Sequence, residues 1–183
     1  VSIPRLPLHE MKEYNAVHGI NVALMAMGVA EALGYEERAV RAIGIAGLLH
    51  DIGMVRVPLE LLSKAEHFND EERAIVTRHP VEGATIIAQS DAALDLAAIA
   101  AYEHHIKPDG TGYPRLSYAR KPHRVSALIA VCDAHHALSS PRPFRDAWPQ
   151  DIIFSFLQQR GGFDFETEMV SAVTRVMRDR SLR

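Results

Sequence analysis

Apolar residues recur with a helical period along nearly the whole chain, and no segment alternates in the two-residue pattern of a strand. Prolines and glycines divide this pattern into segments of helical length. The predicted helical segments span 9–33, 36–51, a short one at 58–64, 70–89 with a break or kink at 79–80 and a restart at 81, 92–105, 124–139, 149–160 and 164–179. We therefore predict an all-α, compact single-domain bundle of about seven or eight helices over residues 1–183.

The stretch 106–123 interrupts the helical pattern. Its prolines and glycines predict a loop, and they are Pro108, Gly110, Gly112, Pro114 and Pro122. Loops of this length in a compact domain are usually functional.

Composition excludes several classes of protein. A net charge of -3 gives no global basic field for duplex nucleic acid. The single cysteine, Cys132, rules out a disulfide framework and a cysteine-built zinc site. The sequence has no signal-peptide pattern and no apolar stretch of the ~18 residues that a membrane span needs, so we expect a cytoplasmic location. The abrupt opening at Val1 leaves open that the chain is part of a longer protein.

Ten histidines are the unusual count in this composition. His50 and Asp51 stand together at the end of a very apolar helix, where unpaired polar groups are costly. Taken alone, the pair slightly favours a buried hydrogen bond between the two residues over a metal site.

A second pair, His104-His105, ends another apolar helix directly before the loop. Adjacent helical side chains diverge by about 100°. Both can therefore reach one site only if it is wide, as a centre with two ions ~3.5–4 Å apart is. The alternative is that the helix C-terminus favours an imidazolium, which explains one histidine better than two.

Three further polar residues stand next to apolar sequence. His79 lies at the predicted break, His18 lies within the first helix, and Asp133 interrupts an apolar helix. A lone histidine is usually a satisfied core residue, whereas a buried carboxylate needs partners. Together with the two pairs, these residues predict a metal site in the core, and imidazole plus carboxylate suits Fe, Mn, Zn or Ni.

Six segments carry a resemblance to a known family. They are GLLHDIG (47–53), VPLELLSK (57–64), DEERAIVTRHPVEGATII (70–87), HHIKPDGTGYP (104–114), VSALIAVCDAHHALSSPRPFR (125–145) and GGFDFETEMVSAV (161–173). In this order they resemble the HD-GYP family of the HD phosphohydrolase superfamily. The tripeptide Gly112-Tyr113-Pro114 after the histidine pair separates this family from other HD proteins.

The resemblance implies an all-α bundle that hydrolyses cyclic di-GMP to the linear dinucleotide or to GMP. It implies metal ligands at His18, His50, Asp51, His79, His104, His105 and Asp133. Asp51 would bridge two divalent ions, with Fe or Mn expected and Ni or Zn as alternatives. A metal-bridging hydroxide would attack phosphorus, so that His50 and Asp51 are the predicted catalytic residues. Tyr14 occupies the position of a third-metal glutamate in some members.

The resemblance also implies residues that contact substrate. The predicted substrate-binding residues are Lys64, Gly112, Tyr113, Pro114 and Arg142. Beyond these, six basic residues either form a rim around an anionic ligand or are ordinary solvated charges; they are Arg41, Lys64, Arg115, Arg120, Lys121 and Arg124.

Several positions depart from the family pattern. Met54 stands where the family has the lysine of HDIGK, and a thioether cannot replace that charge. Ile106-Lys107 replaces the usual Glu-Arg, and His136 replaces an aspartate.

Three functions follow as alternatives. The preserved ligands favour a metal-dependent phosphodiesterase acting on cyclic di-GMP or a related cyclic dinucleotide. Met54 favours a catalytically weak domain that binds a cyclic dinucleotide or a protein partner in bacterial signalling. Hydrolysis of another phosphorylated nucleotide is the third, against which the GYP loop argues. A homodimer or a signalling-protein partner is a further expectation.

Overall fold

The computed structural model of the protein describes residues 8–62, 64, 66–118, 120–141 and 146–181, with side chains from residue 15 to residue 179. Within these ranges the chain forms α-helices and no sheet. The α-helices are α1 (Leu8–Ala32), α2 (Glu37–Leu49), α3 (Leu59–Leu62), α4 (Asp70–Val76), α5 (His79–Ser90), α6 (Asp95–Glu103), α7 (Arg124–Ser139), α8 (Gln150–Arg160) and α9 (Thr167–Ser181). Two short 3₁₀ helices span Ile52–Arg56 and Ala92–Leu94.

The predicted fold class is confirmed. Eight of the α-helices have seven residues or more, and α3 is a single turn. The described part of the predicted loop contains no helix. The predicted helix 92–105 instead begins as a 3₁₀ turn, because the side chain of Asp91 accepts a hydrogen bond from the backbone of Ala93. That helix ends at Glu103, which leaves the histidine pair just beyond its last residue.

The predicted break near Pro80 lies slightly earlier than expected. Thr77 and Arg78 separate α4 from α5, and His79 is the first residue of α5. Proline fits the first turn of a helix because its missing N–H would have no partner there. Pro80 therefore lies in the first turn of α5 and does not interrupt the helix. His79 is thereby held at the N-terminus of α5.

The core lies where α1 packs between α2 and α7. Val22, Val29, Ile43 and Ile129 are fully buried or nearly so. Burying each such side chain contributes about 1.5–3 kcal/mol. Gly47 lets α2 approach α1 closely, since a Cβ there would lie 2.9 Å from the Cα of Ala23. This close approach brings the end of α2 beside the middle of α1.

Two further features concern the surroundings of the core. Cys132 is buried and free, and burial raises the pKa of its thiol, which suits a packing role. Among the described residues, no helix combines the length and the apolar character that a bilayer crossing requires.

Candidate metal centre

The seven predicted ligands come together from five helices around one point in the fold. His18 lies on α1, His50 and Asp51 follow α2, and His79 begins α5. His104 and His105 follow α6, and Asp133 lies on α7.

Gly53, in the 3₁₀ helix that follows α2, allows that segment to pack against the first turns of α5. A Cβ at this position would collide with the backbone oxygen of His79 and would lie 2.6 Å from the backbone nitrogen of Gly83. Glycine is therefore required for the 3₁₀ helix after Asp51 to rest against α5. This contact holds Asp51 next to His79.

The carboxylate of Asp51 stands between two sets of imidazoles. Its Oδ1 lies 3.2 Å from Nε2 of His79 and 3.5 Å from Nε2 of His104. Its Oδ2 lies 3.5 Å from Nε2 of His50 and 4.0 Å from Nε2 of His18. Each carboxylate oxygen thus faces a different set.

Two groups of potential ligands share this aspartate. In each group the ligand atoms lie within 4.8 Å of one another. The first group is Asp51, His79, His104 and His105, and the second is His18, His50 and Asp51. Asp133 adjoins the second group, since its Oδ1 lies 3.0 Å from Nε2 of His18. This arrangement could hold metal, and the individual roles of the ligands stay predictions.

Backbone carbonyls orient three of the imidazoles. Nδ1 of His50 lies 2.7 Å from the oxygen of Gly47, and Nδ1 of His79 lies 2.8 Å from that of Val76. Nδ1 of His104 lies 2.9 Å from the oxygen of Ala101. A carbonyl accepts only, so Nδ1–H donates in each ring, and Nε2 is the nitrogen that faces Asp51 and could bind a metal. Metal-binding histidines are oriented in this way.

One ring nitrogen shows directly that the site suits a cation. Nε2 of His50 is buried and has no hydrogen-bond partner in the described part of the chain. Leaving such a group unpaired costs free energy. A divalent ion between His50 and Asp51 would satisfy it, so the residues present fit a metal.

Two histidines and both aspartates have pKa shifts that suit metal binding. His104 differs, because burial acts to lower its pKa but the hydrogen bond and charge of Asp51 raise it. Burial lowers the pKa of His50 and of His105. Burial acts to raise the pKa of Asp51, but the field of His50 and the hydrogen bonds from His104 and His79 hold it well below its usual range. Asp133 follows the same pattern through its hydrogen bond with His18. Neutral imidazoles and ionised carboxylates are the forms that bind metal.

A cavity of about 650 Å³ opens onto this centre, a volume within the range of ligand sites. Tyr113 lines it and stacks on His105, with the ring centroids 4.5 Å apart. Burial raises the pKa of the Tyr113 phenol, which therefore stays protonated and can donate a hydrogen bond. The Tyr113 hydroxyl is thus a polar group available to a ligand.

The other predicted substrate residues differ in position. Lys64 lines the cavity, but its ammonium donates to both carboxylate oxygens of Glu72, at 2.8 and 2.6 Å. Gly112 has a positive φ of 96° and Pro114 follows Tyr113, and neither lines the cavity. They shape the loop that carries Tyr113. Arg142 lies outside the described residues.

Of the residues considered for a basic rim, Lys64 lines the cavity. Arg41 pairs with Glu37 at 2.5 Å and Arg124 with Glu168 at 2.6 Å, both on exposed surface. These two residues match the alternative of ordinary solvated charges.

Sequence reasoning missed two polar contacts. The buried carboxylate of Glu103 accepts hydrogen bonds from the backbone of His123 and the hydroxyl of Ser126, and it also pairs with Arg120. It thereby ties the loop to α7, and its position directly before the histidine pair was the available signal. Nδ1 of His136 lies 2.7 Å from Nδ1 of His18, a contact that no local pattern indicates.

Comparisons of the sequence with known proteins agree on one family. The family model described as HD domain matches residues 7–166. The chain is 33% identical over 153 residues to cyclic di-GMP phosphodiesterase PA4108 of Pseudomonas aeruginosa, covering 83% of this chain and 37% of that protein. It is 33% identical over 148 residues to the cyclic di-GMP phosphodiesterase response regulator RpfG of Xanthomonas campestris, covering 80% and 39%.

A third relative is a cyclic di-GMP phosphodiesterase of Thermotoga maritima, 30% identical over 177 residues and covering 94% of this chain and 48% of that protein. The chain therefore spans between about a third and a half of the length of these relatives.

Solved structures show the same fold at low identity. Bd1817, an HDG"Y"P protein of Bdellovibrio bacteriovorus, superposes with a TM-score of 0.69 at 19% identity, covering 90% of this chain and 52% of that one. The PgpH HD domain of L. monocytogenes in complex with cyclic-di-AMP gives 0.60 at 18% identity over the full length of both chains. As its motifs predict, the chain belongs to the HD domain family.

Proposed function

We propose that this chain is a metal-dependent phosphodiesterase domain that hydrolyses cyclic di-GMP or a closely related cyclic dinucleotide. The observation that carries the proposal is the Asp51 carboxylate, whose two oxygens face two separate sets of imidazoles. Relatives named cyclic di-GMP phosphodiesterase support the substrate class. A relative in Vibrio cholerae named 3'3'-cGAMP-specific phosphodiesterase 2 widens it to hybrid dinucleotides.

The proposed metal content is two divalent ions, Fe or Mn first and Ni or Zn as alternatives. Two such ions, held by the seven predicted ligands, would supply an activated water and offset charge on the phosphoryl oxygens. The protein's own part is to orient the ligand imidazoles. The backbone carbonyls of Gly47, Val76 and Ala101 do this by accepting from Nδ1 of each ring, which leaves Nε2 facing the centre.

Substrate contacts come from the cavity above the centre. The protonated Tyr113 hydroxyl can donate to a phosphate oxygen beside His105. Arg142, Gly112 and Pro114 keep their predicted roles as part of the proposal. Because Lys64 is engaged by Glu72, it would reach the substrate only by exchanging that partner.

A second candidate rests on Met54. This apolar side chain lines the cavity where the related family carries a lysine. A domain that binds a cyclic dinucleotide or a protein partner with little turnover would tolerate that change. A cytoplasmic location, a single domain over residues 1–183 and a homodimer or signalling-protein partner are further parts of the proposal.

The test combines metal analysis with turnover on one sample. The chain is purified without chelator, loaded with Mn or Fe, and assayed with cyclic di-GMP and 3'3'-cGAMP. We expect about two ions per chain and release of linear dinucleotide or GMP. Asp51→Asn should abolish both, whereas Asp91→Asn, at an exposed helix cap, should change neither.

The remaining outcomes separate the candidates. Bound metal and bound dinucleotide without turnover would favour the weak binding domain. A chain that takes up no metal under any loading condition would refute the proposal.

A further inference from the structure

Arg73 lies on α4 and lines the cavity above the candidate metal centre. Its helix is well anchored, because the side chain of Asn69 accepts from the backbone of Glu72 at 2.8 Å and Glu72 accepts from the backbone of Asn69 at 2.9 Å. This capping box fixes the first turn of α4 and holds Arg73 at the cavity wall.

Arg73 has no ion-pair partner in the part of the chain that the structure describes. Among the described residues, one lysine and one arginine line this cavity: Lys64 and Arg73. Glu72 neutralises Lys64 through both carboxylate oxygens. The guanidinium of Arg73 forms no hydrogen bond and no ion pair within the described ranges. Its N–H donors are therefore open to an anionic ligand.

The position of Arg73 is separate from the metal centre. In the described structure it forms no hydrogen bond or ion pair with the seven predicted ligands, yet it lies near enough to Tyr113 for its charge to act on the phenol. A cyclic dinucleotide carries two phosphodiesters. When one of them is at the centre, the other must be held elsewhere in the same cavity. Guanidinium binds phosphate oxygens in a bidentate fork.

We infer that Arg73 binds the phosphate that is not being cleaved and so selects substrates with two phosphodiesters. This inference rests on the proposed function and names a substrate-binding residue for it. Met54 lines the same cavity without a charge, so among the described lysines and arginines of the lining Arg73 is the one that is not paired.

The test compares two substrates in Arg73→Ala. For cyclic di-GMP, KM should rise about 10-fold to 100-fold with a smaller change in kcat, as expected for a lost hydrogen bond to a charged group. For bis(p-nitrophenyl) phosphate, which has one phosphodiester, kcat/KM should change by less than about 2-fold. Arg73→Lys should give an intermediate KM, because an ammonium keeps the charge without the fork.

Arg41→Ala is the matched control, an exposed arginine that pairs with Glu37 away from the cavity. It should leave both substrates unaffected, and thermal unfolding should show that all variants fold alike. An unchanged KM for cyclic di-GMP in Arg73→Ala, or an equal loss on both substrates, would overturn the inference while the proposed function stands. Wild-type protein that cleaves the nitrophenyl diester but neither binds nor cleaves cyclic dinucleotides would instead refute the proposed substrate, and the inference with it.

Discussion

Nδ1 of His18 and Nδ1 of His136 lie 2.7 Å apart, although 118 positions separate the two residues. At this distance one nitrogen donates and the other accepts. If Nε2 of His18 keeps its lone pair for an ion, its Nδ1–H donates to His136. The Nε2 of His136 then carries the proton, 3.3 Å from the hydroxyl of Ser140. His136 thus orients His18 as the backbone carbonyls orient the other imidazoles.

We expect His136→Ala to weaken metal binding at the group that contains His18. Loss of such an outer partner lowers metal affinity by about 10-fold to 100-fold. Titration against a competing chelator would measure this. His136→Gln keeps an acceptor oxygen and should lose less. Equal affinity in wild type and His136→Ala would show that His18 needs no such support.

Substitutions within the two groups should differ in the number of ions lost. Asp51→Asn should lose both, because Asp51 belongs to both groups. His104→Ala should lose mainly the ion of the first group and retain the other, because His104 belongs to that group alone. Elemental analysis of the purified variants measures the difference. Loss of both ions in His104→Ala, with the fold intact, would contradict two separable positions.

Met54→Lys should raise affinity or activity toward cyclic di-GMP. The substitution places an ammonium at the cavity wall, where it can meet a phosphate oxygen. A gain of about 10-fold in kcat/KM is reasonable for one charged hydrogen bond. Steady-state kinetics of the metal-loaded variant and wild type measures this change in kcat/KM. An unchanged rate and affinity would remove Met54 as the cause of weak turnover.

The metal-free protein should lose stability as pH falls below 6.5, the ordinary pKa of histidine. Burial lowers the pKa of His50 and His105, so the unfolded chain binds protons there more readily than the folded one. The contribution of these two histidines to the free energy of unfolding is full above pH 6.5 and is lost as the pH falls below that value. Burial also acts to lower the pKa of His104, but the hydrogen bond and charge of Asp51 outweigh it and raise that pKa, which gives the opposite contribution.

Burial lowers the pKa of His135 in the same way. Three groups therefore oppose one, and the net effect is destabilisation by acid. Thermal unfolding in chelator at about pH 7.5 and about pH 5.5 should show a lower midpoint at the lower pH. His105→Asn should reduce this difference. An equal or higher midpoint at the lower pH would show that His104 outweighs the other three.

The all-α fold could be predicted because helical periodicity is a local property of the sequence. The end of α6 near the histidine pair and the start of α5 near Pro80 were each predicted about two residues later than the structure has them, because local signals indicate a helix end without its last contacts. The set of potential ligands was predicted from motif order. The resemblance of those motifs to the HD-GYP family implied one shared site, which periodicity alone does not indicate.

The partners of individual side chains could not be predicted in the same way. Lys64 is engaged by Glu72, and His18 meets His136, because of how α4 and α7 lie against their neighbours. Arg73 was passed over for the same reason: within its own helix it resembles any exposed arginine. Its significance depends on the cavity, which several distant segments build together.

Gly53 shows how such a centre can be lost without any change in its ligands. Because the backbone of His79 occupies the space of a side chain at position 53, replacement by even alanine would push two ligand-bearing segments apart. During divergence, a lineage could thus lose the proposed activity while every histidine and aspartate of the site remained in the sequence. Among relatives of this chain, an intact set of ligands therefore indicates common ancestry. The residue at position 53 helps to decide whether the proposed activity was retained.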